Sequence, residues 1–63
     1  MSKIAELFEE LLSDVLLELE RLQLLQASAT LSDEECAAIE HVLNAYRMAL
    51  GTLNEEIRIA RQH

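Results

Sequence analysis

The first half of the chain carries more apolar residues than one helix–helix contact can cover. Over residues 3–26 they recur at spacings of three and four, which is typical of one face of an α-helix. Two overlapping series follow this spacing: Ile4, Phe8, Leu11, Val15, Leu22 and Leu25, interrupted by Glu18, and Ala5, Phe8, Leu12, Val15, Leu19 and Leu22. Together they span about half of the circumference of a helix. A single antiparallel neighbour covers less, so we expect this helix to contact at least two others.

A capping signal marks the start of a second helix. Ser32 is a typical N-cap residue, and Glu35, three residues later, completes a capping box. Leu31 and Cys36 occupy the two positions of a hydrophobic staple on either side of this start. The small and hydroxyl side chains before it predict a loop over about residues 27–32 and a helix over about 33–61.

The second helix repeats its apolar residues strictly every three and four positions: Cys36, Ile39, Leu43, Tyr46, Leu50, Leu53, Ile57 and Ala60. This heptad pattern packs knobs into holes, as in coiled coils and four-helix bundles. Two helices joined by a short loop fold back antiparallel, so the sequence predicts one all-α domain over 1–63, a helical hairpin. We expect the acidic start of the first helix (Glu6, Glu9, Glu10) to meet Arg58 and Arg61.

A hairpin of this size needs further stabilisation. Chains of 63 residues bury too little apolar surface alone and usually rely on disulfides, a metal or oligomerisation. The single cysteine, Cys36, excludes an intrachain disulfide. We therefore expect a homodimer that forms a four-helix bundle. The residues expected to form its core and dimer contact are Phe8, Leu12, Val15, Leu19, Leu22, Ile39, Leu43, Tyr46, Leu50, Leu53 and Ile57.

Charge and hydropathy limit the kinds of partner that the chain is expected to bind and the cellular compartment in which it is expected. Twelve acidic and five basic residues give a net charge of −7, which disfavours nucleic acid because phosphate contacts need clustered Lys and Arg. The acids near the N-terminus do not suit a signal peptide, and no apolar run reaches the roughly 20 residues of a membrane span. The unpaired Cys36 fits a reducing compartment. The sequence thus predicts a soluble, cytoplasmic protein without membrane contact.

No residue pattern indicates catalysis, a cofactor or a metal site. Cys36 and Glu40 lie one helical turn apart, but His41 points away from Cys36, and the Glu-x-x-His pattern of di-iron bundles is absent because Ala38 precedes His41 by three. Glu18 is the one carboxylate directed toward an apolar seam, and we expect it to reach water or to pair with Arg21 or Arg47. The sequence therefore predicts no enzyme.

The chain has three loose resemblances. In length and plan it is similar to the plasmid repressor-of-primer proteins, which bind RNA, but beyond Lys3 and Arg21 its first helix is acidic. With LNAY at 43–46 it also resembles the sporulation response-regulator phosphatases, whose Ser-Gln-Glu-Leu-Asp signature would fall on residues 36–40 and is missing. The segment AYRMAL at 45–50 is similar to the end of some phage tail assembly chaperones. None of these assigns the chain to a family.

Two leucines lie on the side of the first helix that faces away from the predicted core. Leu17 and Leu24 are one heptad apart on the far side of the first helix, among acids that include Glu10 and Glu20. A helix that offers leucines among acids suits docking into a groove on another protein. We therefore expect an acidic, non-enzymatic protein-binding module, an adaptor or an inhibitor of the kind that phages and plasmids encode. The alternatives are an assembly chaperone or structural bundle protein, a DNA-mimic inhibitor, and a phosphatase-like regulator using Gln23, Gln26 or Asn44.

Overall fold

Two long helices fold back on each other in the computed structural model, which describes residues 3–28 and 30–62. Helix α1 spans Lys3–Ser28 and helix α2 spans Asp33–Arg61. Together they form a rod of 47 × 15 × 11 Å. The predicted all-α helical hairpin is confirmed, whereas the pairing of two hairpins into a four-helix bundle remains a prediction.

Helix α1 ends two residues later than its apolar spacing predicts. The hydroxyl of Ser28 donates a hydrogen bond of 2.6 Å to the carbonyl oxygen of Leu24, four residues earlier, as a serine inside a helix can. The predicted loop over 27–32 therefore begins inside α1. Ala29, which was assigned to the same loop, lies outside the described residues.

Helix α2 begins with the predicted capping box. The Ser32 hydroxyl accepts a hydrogen bond of 3.1 Å from the Glu35 amide, and the Glu35 carboxylate accepts one of 3.0 Å from the Ser32 amide. Ser32 itself is extended, with φ −72° and ψ 165°. Leu31 and Cys36, the predicted staple residues, are both half-buried. Because a capping box involves only neighbouring residues, a short sequence pattern is sufficient to predict it.

The contact between the helices uses the second of the two apolar series in α1. Phe8, Leu12, Val15, Leu19 and Leu22 are half-buried, and Ala5 is only 3% exposed. From α2, Leu43 is fully buried, and the half-buried residues are Ile39, Tyr46, Leu50, Leu53 and Ile57. The eleven residues predicted for the core and the dimer contact are thus all buried or half-buried in the single hairpin, and their part in a dimer stays a prediction. Ala5, which was not among them, is more buried than any of the others except Leu43.

The core of a single hairpin is thin. Within residues 3–28 and 30–62, only Ala5 and Leu43 are buried. The members of the first apolar series that the second does not share are exposed: Ile4 is 57% exposed, Leu11 48% and Leu25 47%. Within one chain α1 contacts one helix rather than the two or more that its apolar width predicts.

In the described part of the chain, neither helix has a stretch that is both long enough and apolar enough to cross a membrane.

Candidate protein-binding surface

The outer edge of α1 carries the two leucines that the sequence places outside the core. Leu17 is 48% exposed and Leu24 is 68% exposed. They are seven residues apart and therefore lie above one another on a helix packed in a coiled-coil manner. Glu10, seven residues before Leu17, extends the same line and is also exposed. The helix thus presents two leucines and a carboxylate in one row on the side away from α2.

A shallow hollow lies next to this row. It is lined by Glu20, Gln23 and Leu24 and is open to solvent. Glu20 is exposed and lines the hollow together with Leu24. The four residues predicted to bind a protein, Leu17, Leu24, Glu10 and Glu20, therefore share one exposed edge. Their role in binding remains a prediction.

The best-connected polar cluster bridges the helices on another side of the rod. The Gln26 amide donates to the Glu40 carboxylate at 3.1 Å, and Arg47 donates to the same carboxylate at 3.4 Å. Arg47 also donates to the Asn44 side-chain oxygen at 3.0 Å. The pKa of Glu40 is lowered from its usual 4.5, most of all by the Gln26 hydrogen bond; burial opposes this, and the hydrogen bond and charge of Arg47 lower the pKa further. Glu40 is therefore a paired carboxylate that joins the two helices.

This cluster bears on the phosphatase-like alternative. That function needs a carboxamide placed near an acid, and two of the three candidates, Gln26 and Asn44, are hydrogen-bonded to groups of their own chain. The third, Gln23, lies in the shallow hollow beside Leu24. Gln26 thus joins α1 to α2 through Glu40, whereas Asn44 is bonded within α2.

The other candidate chemical groups lie apart from one another. Cys36 is a half-buried free thiol on the seam, while Glu34 and His41 are exposed. The described residues contain no group of three or more His, Cys, Asp or Glu side chains placed to hold a metal ion. Glu18 forms an ion pair of 3.0 Å with Arg21, and both side chains are largely exposed. Glu18 therefore lies at the edge of the seam, paired with one of the two arginines that the sequence suggested.

Charge pairing at the open end of the hairpin follows the prediction in part. Arg61 of α2 is bonded to Glu9 of α1 and so joins the predicted acidic and basic clusters. Arg58 is bonded instead to Glu55, three residues earlier on its own helix. The two clusters therefore meet through Arg61, while Arg58 pairs with an acid one turn away on its own helix.

A second exposed apolar surface was not recognised from the sequence as a surface. It consists of Ile4, Leu7, Leu11 and Leu25 on α1, which are 47–57% exposed. Three of these four belong to the first apolar series, whose extra width predicts contact with at least one helix besides α2. The signal for the surface was the width of the apolar face. The two series alone could not show which of them faces α2.

Comparisons with known proteins provide no assignment. No protein-family model matches the chain, and no curated protein or solved structure shows significant similarity to it.

Proposed function

We propose that the chain is a small, acidic, non-enzymatic protein-binding module that acts as a homodimeric four-helix bundle in the cytoplasm. It serves as an adaptor or as an inhibitor that occupies the surface of a partner protein. The observation that carries the proposal is the exposed pair Leu17 and Leu24, 48% and 68% exposed on the edge of α1 away from α2. Leucines at this spacing are the anchors with which one helix docks into a groove of another protein.

The side chains on this edge indicate what kind of partner surface would complement it. Glu10 and Glu20 lie beside the two leucines, and the chain carries a net charge of −7. A groove with an apolar floor and a basic rim complements such a surface. The apolar floor would provide most of the affinity, whereas the charges would speed association and exclude acidic surfaces.

The thin core supports the homodimer. Only Ala5 and Leu43 are buried among the described residues, and a free Cys36 leaves the hairpin without an intrachain disulfide. Small domains usually gain the missing burial from a metal, from disulfides or from association. Association of two hairpins is the route that the exposed apolar residues of α1 favour.

The double variant Leu17→Gln/Leu24→Gln tests the binding edge. Glutamine has good helix propensity and neither leucine lies on the seam, so helix content and assembled mass should not change. Affinity for the partner should fall more than tenfold, because each buried leucine contributes roughly 1.5–3 kcal/mol and 1.4 kcal/mol corresponds to a factor of ten. The partner is identified by affinity capture from the native host with mass spectrometry, and the affinities of both forms are then measured with the purified partner.

The matched control is Met48→Gln/Ile59→Gln. It replaces two apolar residues that are 75% and 37% exposed on the outward side of α2. This variant should retain the partner. Equal affinity of the native protein and the Leu17→Gln/Leu24→Gln variant would show that the two leucines are incidental.

An assembly chaperone is the second candidate. The amount of exposed apolar surface favours it, since seven large apolar side chains of α1 are more than two-fifths exposed: Ile4, Leu7, Leu11, Leu16, Leu17, Leu24 and Leu25. Such a helix could shield a partner's helix until that partner assembles. A chaperone releases its partner when the final assembly forms, whereas an adaptor or inhibitor remains bound, so the composition of the captured complex over time distinguishes them.

A further inference from the structure

The hairpin has two broad faces, and their side chains differ in chemistry. One ion pair between the helices shows which rows of residues lie on which face. Residues seven apart form a row along a helix packed in this way, and each seam is flanked by one such row on either side. Arg61 is bonded to Glu9, so the rows that contain these two residues lie on the same face. The rows on the other sides of the two seams must therefore share the opposite face.

The face marked by the Glu9–Arg61 ion pair is polar. We call it the polar face, and its residues are Glu9, Leu16, Gln23, Glu40, Arg47, Asn54 and Arg61. Among the described residues, two polar bonds between the helices involve these rows: Arg61 donates to Glu9 at the open end, and Gln26 of the seam donates to Glu40 near the loop. Its single large apolar member is Leu16.

The opposite face, which we call the apolar face, carries several large apolar side chains. Its rows consist of Ile4, Leu11, Glu18 and Leu25 on α1 and of Glu35, Val42, Ala49 and Glu56 on α2. Ile4, Leu11, Leu25 and Val42 are between 43% and 57% exposed. Glu18 is already paired with Arg21, and Glu35 is bonded within the capping box. Ala49 and the neighbouring Ala45 have small side chains that permit close approach of another helix.

We propose that a second copy of the chain docks on this apolar face, so that the two hairpins pack face to face with their polar faces outward. The proposal rests on the homodimer put forward above and adds which side of the hairpin is covered. In this arrangement the first apolar series of α1 becomes internal to the dimer. The edge that carries Leu17 and Leu24 remains free for another partner.

The exposed area is consistent with this occupant. A compact monomer of 7.2 kDa is expected to expose roughly 4,100 Å². The hairpin exposes 4899 Å². The excess, roughly 800 Å², is what each partner buries in a standard-sized protein interface of about 1,600 Å² in total. One further hairpin on one face therefore accounts for the surface that the single chain leaves uncovered.

Leu11 and Leu16 provide a matched pair of test positions. They are 48% and 44% exposed, so their burial in a single hairpin is nearly the same, but they lie on opposite faces. The native protein should sediment at about twice 7.2 kDa at micromolar concentration. Leu11→Gln should raise the dimer dissociation constant about 100-fold, because each dimer loses two buried leucines, whereas Leu16→Gln should leave it within about threefold.

Carbene footprinting of the native protein provides a second measurement that needs no variant, in case Leu11→Gln unfolds. Leu11 and Val42 should be protected from labelling, while Leu16 and Met48 should label readily. If Leu16→Gln dissociates the native dimer and Leu11→Gln does not, the proposed contact face is wrong although the protein is a dimer. A native monomer in which Leu11 and Leu16 label equally would overturn both. Partner binding by Leu17 and Leu24 is measured separately and is not decided by either result.

Discussion

Individual side chains of this hairpin differ widely in how much the fold depends on them. Leu43 is fully buried, whereas Met48, five residues later on the same helix, is 75% exposed. The difference follows from the heptad, which directs Leu43 to the seam and Met48 away from it. Removal of a buried leucine costs its transfer free energy and leaves a cavity, whereas truncation of an exposed methionine does neither.

We therefore expect Leu43→Ala to lower the free energy of unfolding by about 2–5 kcal/mol. Met48→Ala should change it by less than about 0.5 kcal/mol. Urea titrations followed by circular dichroism, at one protein concentration, measure both. If the two variants shift the urea midpoint equally, the register of α2 is not the one described.

The two helices differ in how far their sequences determine their environment. The start of α2 is predictable because the bonds between Ser32 and Glu35 are local, and its strict heptad leaves one seam. In α1, by contrast, two apolar series share Phe8, Val15 and Leu22. Local pattern alone cannot decide whether Ala5 or Ile4 faces α2, because that choice depends on how the helices pack. The structure places Ala5 inside and leaves Ile4 57% exposed.

The binding edge could be predicted from the sequence, whereas the partner of Arg58 and the end of α1 could not. Leu17 and Leu24 could be placed outside the core because they belong to neither apolar series. The pairing of Arg58 with Glu55 could not be foreseen, because Arg58 can reach partners on either helix and the choice depends on small differences in geometry. The extension of α1 to Ser28 lies beyond the last residue of the apolar series, where apolar spacing gives no signal.

The capping box makes the stability of α2 depend on pH. Hydrogen bonds from the backbone and then the side chain of Ser32 lower the pKa of Glu35 from its usual 4.5, against a smaller opposing effect of burial. A carboxyl whose pKa is lower in the folded state stabilises the fold above its unfolded pKa. That contribution is lost as the pH falls below 4.5 and through the lower folded-state value.

Glu35→Gln keeps an oxygen that can accept the Ser32 amide bond but removes the titrating group. We expect the free energy of unfolding of this variant to fall less steeply than that of the native protein as the pH is lowered from about 5. Glu34→Gln, in the same turn but outside the capping box, serves as the control and should follow the native curve more closely. Parallel curves for the native protein and Glu35→Gln, from urea midpoints at a series of pH values, would contradict the assignment.

At the scale of the whole molecule, the hairpin is a rod that exposes one apolar face and one apolar edge. The apolar face contains Ile4, Leu11, Leu25 and Val42, and the edge contains Leu17 and Leu24. One exposed set would suffice for a dimer, and the second would then be free to bind another protein. The proposed division assigns the broader set to the second copy because two hairpin faces can bury it at once, whereas an edge offers one helix to a groove.

If folding and pairing are one process, thermal stability must depend on protein concentration. A tenfold increase in concentration stabilises a dimer by about 1.4 kcal/mol against its unfolded chains. With an unfolding entropy of about 2.1 cal/mol/K per residue over two chains, the melting temperature should rise by roughly 5 °C for each tenfold increase. Circular dichroism melts over a hundredfold range of concentration should therefore differ by about 10 °C. The Leu17→Gln/Leu24→Gln variant should show the same dependence, because its changes lie on the edge. A cooperative transition whose midpoint does not move with concentration would show that a single hairpin is stable with its thin core.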